Sequence, residues 1–341
     1  LKKYNIINVD ENFLDLFFDN DAIRRKQEET NQDIFGDRLQ SCKSIPVSTS
    51  QGLIMDSSIV CNATKDADKS RIPVFYYEIY PQNCDKNAYF FVNLDMTDFR
   101  RLQQDHLSPK TILCKTHQAY NILSRLLPYK DVKYTGFTSV DRFQPSISKN
   151  YHSFIHVAGK SPYKGTDQIV NAWLNHPEWP ALTLICKGIE GSSDNMLEIV
   201  KNMMVKPQKN IILIDTYVSD EKLAKYMNEN GIHLCTSKHE GFGHYLNEAR
   251  SLEAVVLYTD APPMNEKFEH GVSGISVKAS NGPMINEGIC PTYLVNRKSI
   301  EDAVGQVIGM SEHSLREIGK KARLRYLQDD RDFKKNIMSI L

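Results

Sequence analysis

The chain carries no net charge, since 42 basic residues stand against 42 acidic ones over 341 positions. No global field therefore draws it to nucleic acid or to an anionic membrane, and charged ligands must be met by local patches. It has no apolar run of membrane-spanning length. The opening "LKKYNIINVDENF" sets basic residues before a short apolar patch, but Asp10 and Glu11 interrupt it too early for a secretory signal. Paired cysteine spacing is missing too. Cys42, Cys61, Cys84, Cys114, Cys186, Cys235 and Cys290 are odd in number and show neither metal-type nor redox-type intervals. Several lie in apolar runs such as "LTLIC" and "IHLC", the setting of buried free thiols in a reducing compartment, so a cytoplasmic location is expected. The glycosylation-type triplet "NAT" at Asn62 is of a kind common by chance. Glycine is scarce early on: only Gly36 and Gly52 precede Gly136, and neither sits between a strand and a helix.

What is present is a folded globular composition, 41% hydrophobic, at a length that favours two domains. From about residue 150 the pattern is regular. Strands are expected at "SFIHVAG" (153–159), "ALTLIC" (181–186), "NIILI" (210–214), "GIHLC" (231–235), "AVVLY" (254–258) and "GISV" (274–277). Between them lie helices, one with Ile169, Val170, Trp173 and Leu174 on a single face, one with Met196, Ile199, Val200 and Met203 together, and one capped by Ser219. Short apolar strands alternating with amphipathic helices predict a parallel sheet covered on both faces, with its ligand at the carboxyl ends of the strands.

Within that frame "KHEGFGHYLNEA" (238–249) is a strand-end loop running into a helix that begins near His244 or Tyr245. Gly241 and Gly243 permit close backbone approach, and the first helix amides form an anion site. Glu240 precedes those amides and Glu248 follows them. A nucleotide diphosphate sugar presents sugar, diphosphate and ribose diol in that order, and carboxylates suit both hydroxyl-bearing ends. The loop "VAGKSPYKGTD" adds Lys160 and Lys164 beside Gly159 and Gly165, two ammonium groups able to neutralise a diphosphate. Taken singly, each lysine reads as a solvated surface residue; in combination with the glycine loop and the helix they point to a site.

These residues resemble the donor-binding segment of retaining glycosyltransferases of family 4, which have two Rossmann-like domains facing a cleft. The hallmark E-x7-E is matched by Glu240 and Glu248. The resemblance continues in "VAGKSPYKGTD", where Lys160 replaces the family's arginine, and in "GFTSVDRFQP" (136–145), with Asp141, Phe143 and Pro145 in place. It covers about residues 134–330 and implies an α/β fold of the glycosyltransferase B type with an abbreviated first domain. The expected units are 1–145 on the acceptor side, 146–315 binding the nucleotide sugar, and a helical segment, 316–341, crossing back to the first.

The resemblance also implies roles. Glu248 binds the ribose hydroxyls, and Glu240 contacts the donor sugar. The backbone of Gly241, Phe242, Gly243 and His244 meets sugar and diphosphate. Lys160 and Lys164, beside Gly159, stabilise the departing phosphate, and Tyr217 and Val218 contact the base. Anomeric configuration is retained with no metal or other cofactor. The partners are a nucleotide-sugar donor and a carbohydrate, lipid-linked or protein acceptor. His244 and Tyr245 replace the usual leucine–proline, which leaves His244 either on the donor or at the helix cap. Two other readings stay open, a nucleotide-sugar epimerase of the same fold and a non-catalytic nucleotide-sugar-binding protein.

The first half is expected to hold strands at "YNIINV", "SSIVCNA", "PVFYYEIY", "AYFFVNLD" and "KTILCKT", then a helix "THQAYNILSRLL". Asn93 and Asp95 end one strand on the acceptor side, where the family often has a histidine. Lys115 and Thr116 end the next; His106 and His117 read as a loop residue and a helix start. "RRKQEET" (24–30) reads as a solvated helix face and "DADKS" (66–70) as a polar loop. In the last segment Ser314 and Glu317 have capping-box spacing, and Leu315, Ile318, Ala322 and Tyr326 form one stripe.

Overall fold

The computed structural model describes residues 75–78, 84–104, 108–188, 195–206 and 208–340. The expectations for "YNIINV", "SSIVCNA", "RRKQEET", "DADKS", Gly36, Gly52, Asn62, His106, Cys42 and Cys61 fall outside them.

The first sheet holds β1 (Phe75–Tyr77), β2 (Tyr89–Val92), β3 (Thr111–Cys114) and β4 (Asp131–Tyr134), all parallel and in sequence order. α1 (Phe99–Leu102) and α2 (His117–Leu126) cover it. Thr116 caps α2 by accepting from the Ala119 amide. The β4 strand "DVKY" has no run of apolar residues to mark it in the sequence; its pairing with β3 is what makes it a strand.

The second sheet follows the sequence pattern closely. Its strands are β5 (Asn150–Gly159), β6 (Leu182–Cys186), β7 (Ile211–Ile214), β8 (Asn230–Cys235), β9 (Val255–Thr259) and β10 (Ile275–Val277). All pairs are parallel, in the order β10-β9-β8-β5-β6-β7. The chain thus winds outward in one direction from β5 and then returns to its other side at β8. That reversal opens a crevice at the carboxyl ends of β5 and β8, the place where doubly wound sheets take their ligands. His156 fixes this junction from within: Nδ1 donates to the Leu234 carbonyl at 2.7 Å and Nε2 accepts from Thr166 Oγ1 at 2.9 Å.

The helices are α3 (Thr166–Asn175), α4 (Met196–Met203), α5 (Asp220–Glu229), α6 (His244–Ser251), α7 (Arg297–Ile308) and α8 (Glu312–Ile340). Ile169, Val170 and Trp173 on α3 are fully buried, with Trp173 edge-on to Phe154. Ser219 caps α5, accepting from the Lys222 amide. On α4 the expected stripe needs correction, because Ile199 is exposed and Leu197 packs in its place. The helix presents the face that follows Met196 and Val200.

The last helix begins earlier than its sequence suggested. Ser311, not Ser314, is the cap: its hydroxyl accepts from the Ser314 amide, which leaves Ser314 and Glu317 inside the helix. Leu315 and Ile318 join the core of the second sheet, while Phe333 and Ile337 pack with Phe91, Leu113 and Phe137 beside the first. Asn336 Nδ2 donates to the Thr135 carbonyl and Tyr89 Oη to that of Ile340. A single helix therefore braces both sheets. A second connection is the hairpin β11 (Ala279–Asn281) and β12 (Tyr293–Val295). The loop between its strands carries Ile289 and Cys290 into the first sheet's core. Among the described residues the cysteines are free thiols, and four of the five are buried. Among the same residues no helix is long and apolar enough to cross a membrane.

Candidate active site

Two loops meet at the crevice between β5 and β8. The first, 160–165, leaves β5 after Gly159, and the second, 236–243, leaves β8. They are laced together: the Lys238 amide donates to the Tyr163 carbonyl at 2.7 Å, and Thr236 Oγ1 to that of Lys164 at 3.1 Å. Lys160 is exposed, whereas Lys164 is half-buried with its Nζ 3.8 Å above the Tyr245 ring.

Gly243, with φ at +85°, turns the chain into α6, and no side chain caps the helix. A side-chain-bearing residue would be strained there, and the uncapped first amides stay directed toward the crevice. Glu240 lies just before them. Ser237 Oγ donates to its Oε1 at 2.6 Å, and Tyr245 Oη donates to Ser237 in turn. Burial pushes the Glu240 carboxyl up, and Lys164 together with the Ser237 bond pulls it back toward the ionised form.

Glu248, about one turn into α6, faces Arg142, whose Nε stands 3.0 Å from Oε2 in an ion pair without hydrogen-bond alignment. Arg142 also donates to Asp220 Oδ1 at 2.9 Å. Burial raises the Glu248 carboxyl, with Arg142 as the main opposing influence. Burial works against the Arg142 charge as well, but Glu248 and Asp220 outweigh it and raise its pKa. A concavity beside Glu248 is walled by Ile155, Val157, Leu223, Met227, Cys235 and Tyr245. Of the residues expected near the base, Val218 packs against the helix–sheet interior, while Tyr217 is 82% exposed with Lys187 Nζ 4.5 Å above its ring.

The first sheet supplies the opposite wall. Asn93 lies directly against Gly241. Its Nδ2 donates to Glu78 Oε1 at 2.6 Å, and its Oδ1 accepts from Lys115 Nζ at 2.8 Å. Lys115 is fully buried, 3.2 Å from Glu78 and 3.9 Å above the Tyr77 ring, and burial lowers its pKa to about 8. Asp95, two residues on from Asn93, reaches His239 across the cleft.

His244 is neither a side-chain helix cap nor a free group facing the cleft. Its Nδ1 pairs with Ser139 Oγ at 2.9 Å and its Nε2 with Tyr77 Oη at 3.3 Å, and burial holds it at about 3. It is the neutral bridge between α6 and the first domain. His117 starts α2 as expected, stacked on Tyr134, and Glu266 from beyond β9 accepts from the His117 and Gln118 amides.

The structure thus brings Gly159, Lys164, Glu240, Gly241, Phe242, Gly243, Glu248, Asn93 and Asp95 around one cleft. Tyr217 is exposed to solvent. Sequence reasoning missed Arg142, Ser237, His239 and Glu78. Arg142 sat in view within "SVDRFQP", but its partner lies 106 residues away. Lys267 was missed too; its Nζ lies 3.5 Å above the Phe242 ring, and burial lowers it to about 7. Among the described residues no three His, Cys, Asp or Glu side chains converge as metal ligands would.

Residues 138–292 match the family model described as glycosyl transferases group 1. No curated protein matches the sequence at a significant level. Solved structures similar to the chain include sucrose-phosphate synthase from Thermosynechococcus elongatus, 13% identical with a TM-score of 0.61 over 76% of this chain and 68% of that one. A glycosyltransferase from Rickettsia africae is 14% identical with a TM-score of 0.54 over 74% and 70%. Anabaena HepE in complex with UDP and glucose is 13% identical with a TM-score of 0.55 over 74% and 71%. At such identities the likeness establishes the fold. The stretch from 138 to 292 is thus similar to a glycosyltransferase group 1 domain, and the chain has the two-domain fold of the glycosyltransferase B type.

Proposed function

We propose that the protein transfers a sugar, of the hexose class, from a nucleotide diphosphate to an acceptor hydroxyl, with retention of anomeric configuration and without a metal. The observation that carries this reading is the convergence of Lys164, the uncapped α6 amides, Glu240 and Glu248 at the crevice where the sheet order reverses. In this reading residues 1–145 form the acceptor-side unit, 146–315 the donor unit, and 316–341 the return to the first. The acceptor is a carbohydrate, a lipid-linked sugar or a protein, and the location is cytoplasmic.

The chemistry divides among the residues as follows. Glu248, paired with Arg142, accepts hydrogen bonds from the ribose diol, and Tyr217 and Val218 contact the base. The diphosphate lies on the α6 amides, flanked by Lys160 and Lys164. Glu240 holds the donor sugar. As the bond between the anomeric carbon and the phosphate oxygen breaks, both electrons pass to the phosphate. The two ammonium groups stabilise that charge where it develops. The acceptor oxygen bonds to the same face of the carbon, and its proton passes to the departing phosphate.

The test is incubation with UDP-, GDP- and ADP-sugars in excess chelator, with and without sugar acceptors. The HepE complex makes UDP-sugars the first to try. Release of nucleoside diphosphate that persists in chelator, with product retaining the donor's configuration by NMR, is the expected result. Activity lost to chelator and restored by Mg²⁺ or Mn²⁺ refutes metal independence. Conversion of the donor to an isomer makes the protein an epimerase.

A further inference from the structure

We propose that His239 and Asp95 together form a hydroxyl-binding site that closes on the donor's sugar from both sides of the cleft. The inference rests on the nucleotide-sugar reading and adds to it a pair of residues, one from each domain, that recognises one sugar hydroxyl.

The His239 side chain is only 8% exposed, yet neither ring nitrogen has a hydrogen-bond partner. Its Nδ1 stands 3.6 Å from Asp95 Oδ2, too long for a hydrogen bond. Asp95 Oδ1 is buried and unpartnered as well. A buried polar atom without a partner is costly, and native proteins keep such orphans mainly where something else completes the bonding.

Both side chains are held in place by their surroundings. The His239 loop is pinned by the Lys238 amide on the Tyr163 carbonyl and the Tyr293 amide on the Lys238 carbonyl, each 2.7 Å. The Tyr163 ring lies 4.8 Å from the imidazole. On the other side, Asn286 Nδ2 holds the Asp95 turn through the Leu94 and Thr97 carbonyls at 2.6 and 2.9 Å.

The chemistry selects the ligand group. A hydroxyl can donate to a carboxylate oxygen and accept from an imidazole N–H at the same time. Phosphate is disfavoured by the carboxylate of Asp95, whose charge is felt at Glu240. With the diphosphate on the α6 amides and the sugar at Glu240, the residue before Glu240 meets a ring hydroxyl of that same sugar.

The experiment is calorimetric titration of wild type, His239→Leu, His239→Gln and Asp95→Asn. The probes are the best donor among UDP-glucose, UDP-N-acetylglucosamine, GDP-mannose and ADP-glucose, its monodeoxy analogues, and the matching free nucleoside diphosphate. Nucleoside diphosphate affinity within twofold of wild type confirms that each variant is folded. The expected result is donor binding at least tenfold weaker in His239→Leu and Asp95→Asn, with partial recovery in His239→Gln. One monodeoxy donor should bind wild type at least tenfold more weakly than its parent, and bind His239→Leu as the parent does. Unchanged donor affinity in the variants, or equal losses for the donor and every deoxy analogue, overturns the inference and leaves the nucleotide reading intact. Wild-type protein that binds neither nucleoside diphosphate nor donor overturns the nucleotide reading and this inference with it.

Discussion

Adding one methyl group at Gly241 should destabilise the protein by about 2–3 kcal/mol. A Cβ there would lie 2.5 Å from Asn93 Oδ1 and 2.8 Å from Nδ2, inside the distance real Cβ atoms keep. Asn93 is a poor candidate for yielding, because Glu78 and Lys115 hold its two ends at 2.6 and 2.8 Å. Moving it strains or breaks bonds to charged partners worth about 1.5–3 kcal/mol, and overpacking itself costs about 1–3 kcal/mol. The two overlap, since relieving one incurs the other. Against them stands the gain of about 0.4–1 kcal/mol from restricting the unfolded chain. Urea unfolding of wild type, Gly241→Ala, Asn93→Ala and the double variant measures the effect. With Asn93 truncated, the new methyl has room, so the double variant should be more stable than the sum of the single losses by about 1–2 kcal/mol. A Gly241→Ala protein within about 0.5 kcal/mol of wild type, or plain additivity in the cycle, would show that the two walls of the cleft do not meet as described.

Glu248→Ala should weaken donor binding more than Glu248→Gln, because the amide still bonds one ribose hydroxyl while alanine leaves the diol unpaired; the loss is about 1.5–3 kcal/mol, and wild-type affinity in both variants removes the ribose role. Lys160→Ala and Lys164→Ala should each lower turnover at saturating donor on the order of 10²-fold, more than they lower affinity, and Lys160→Arg should keep much of the activity. Wild-type turnover in both alanine variants would leave the phosphate to the α6 amides alone. Stability should also fall as pH drops from 7 to 5.5. Burial holds His156 at about 4 and His233 and His244 at about 3, so below the ordinary value near 6.5 the unfolded chain binds protons that the folded one refuses. Each histidine contributes up to about 1.4 kcal/mol per pH unit in that sense. Glu240 and Glu248, raised by burial, act in the opposite sense, and the three histidines outnumber them. A urea midpoint that stays flat between pH 7 and 5.5 would contradict the burial of these histidines.

The sequence by itself determined the second domain. Each of its six strands contains a short apolar run, and period, caps and glycines are local properties that survive without tertiary context. The same holds for Ser219, for the glycine turn into α6 at Gly243, and for the order Glu240, helix amides, Glu248. Where the reading failed locally, two local signals competed: Ser311 and Ser314 could each cap α8, and Ile199 could sit on either side of α4. Only the tertiary structure decided what faces Glu248, Asn93 and Asp95. Arg142, Gly241 and His239 reach these side chains across more than a hundred residues of chain. No spacing encodes such a contact, because it exists only once two sheets and the long α8 have brought the walls of the cleft together. His244 shows the same division: its place at the head of α6 was legible, but its engagement with Tyr77 and Ser139 depends on a sheet whose strands contain neither it nor its neighbours in sequence.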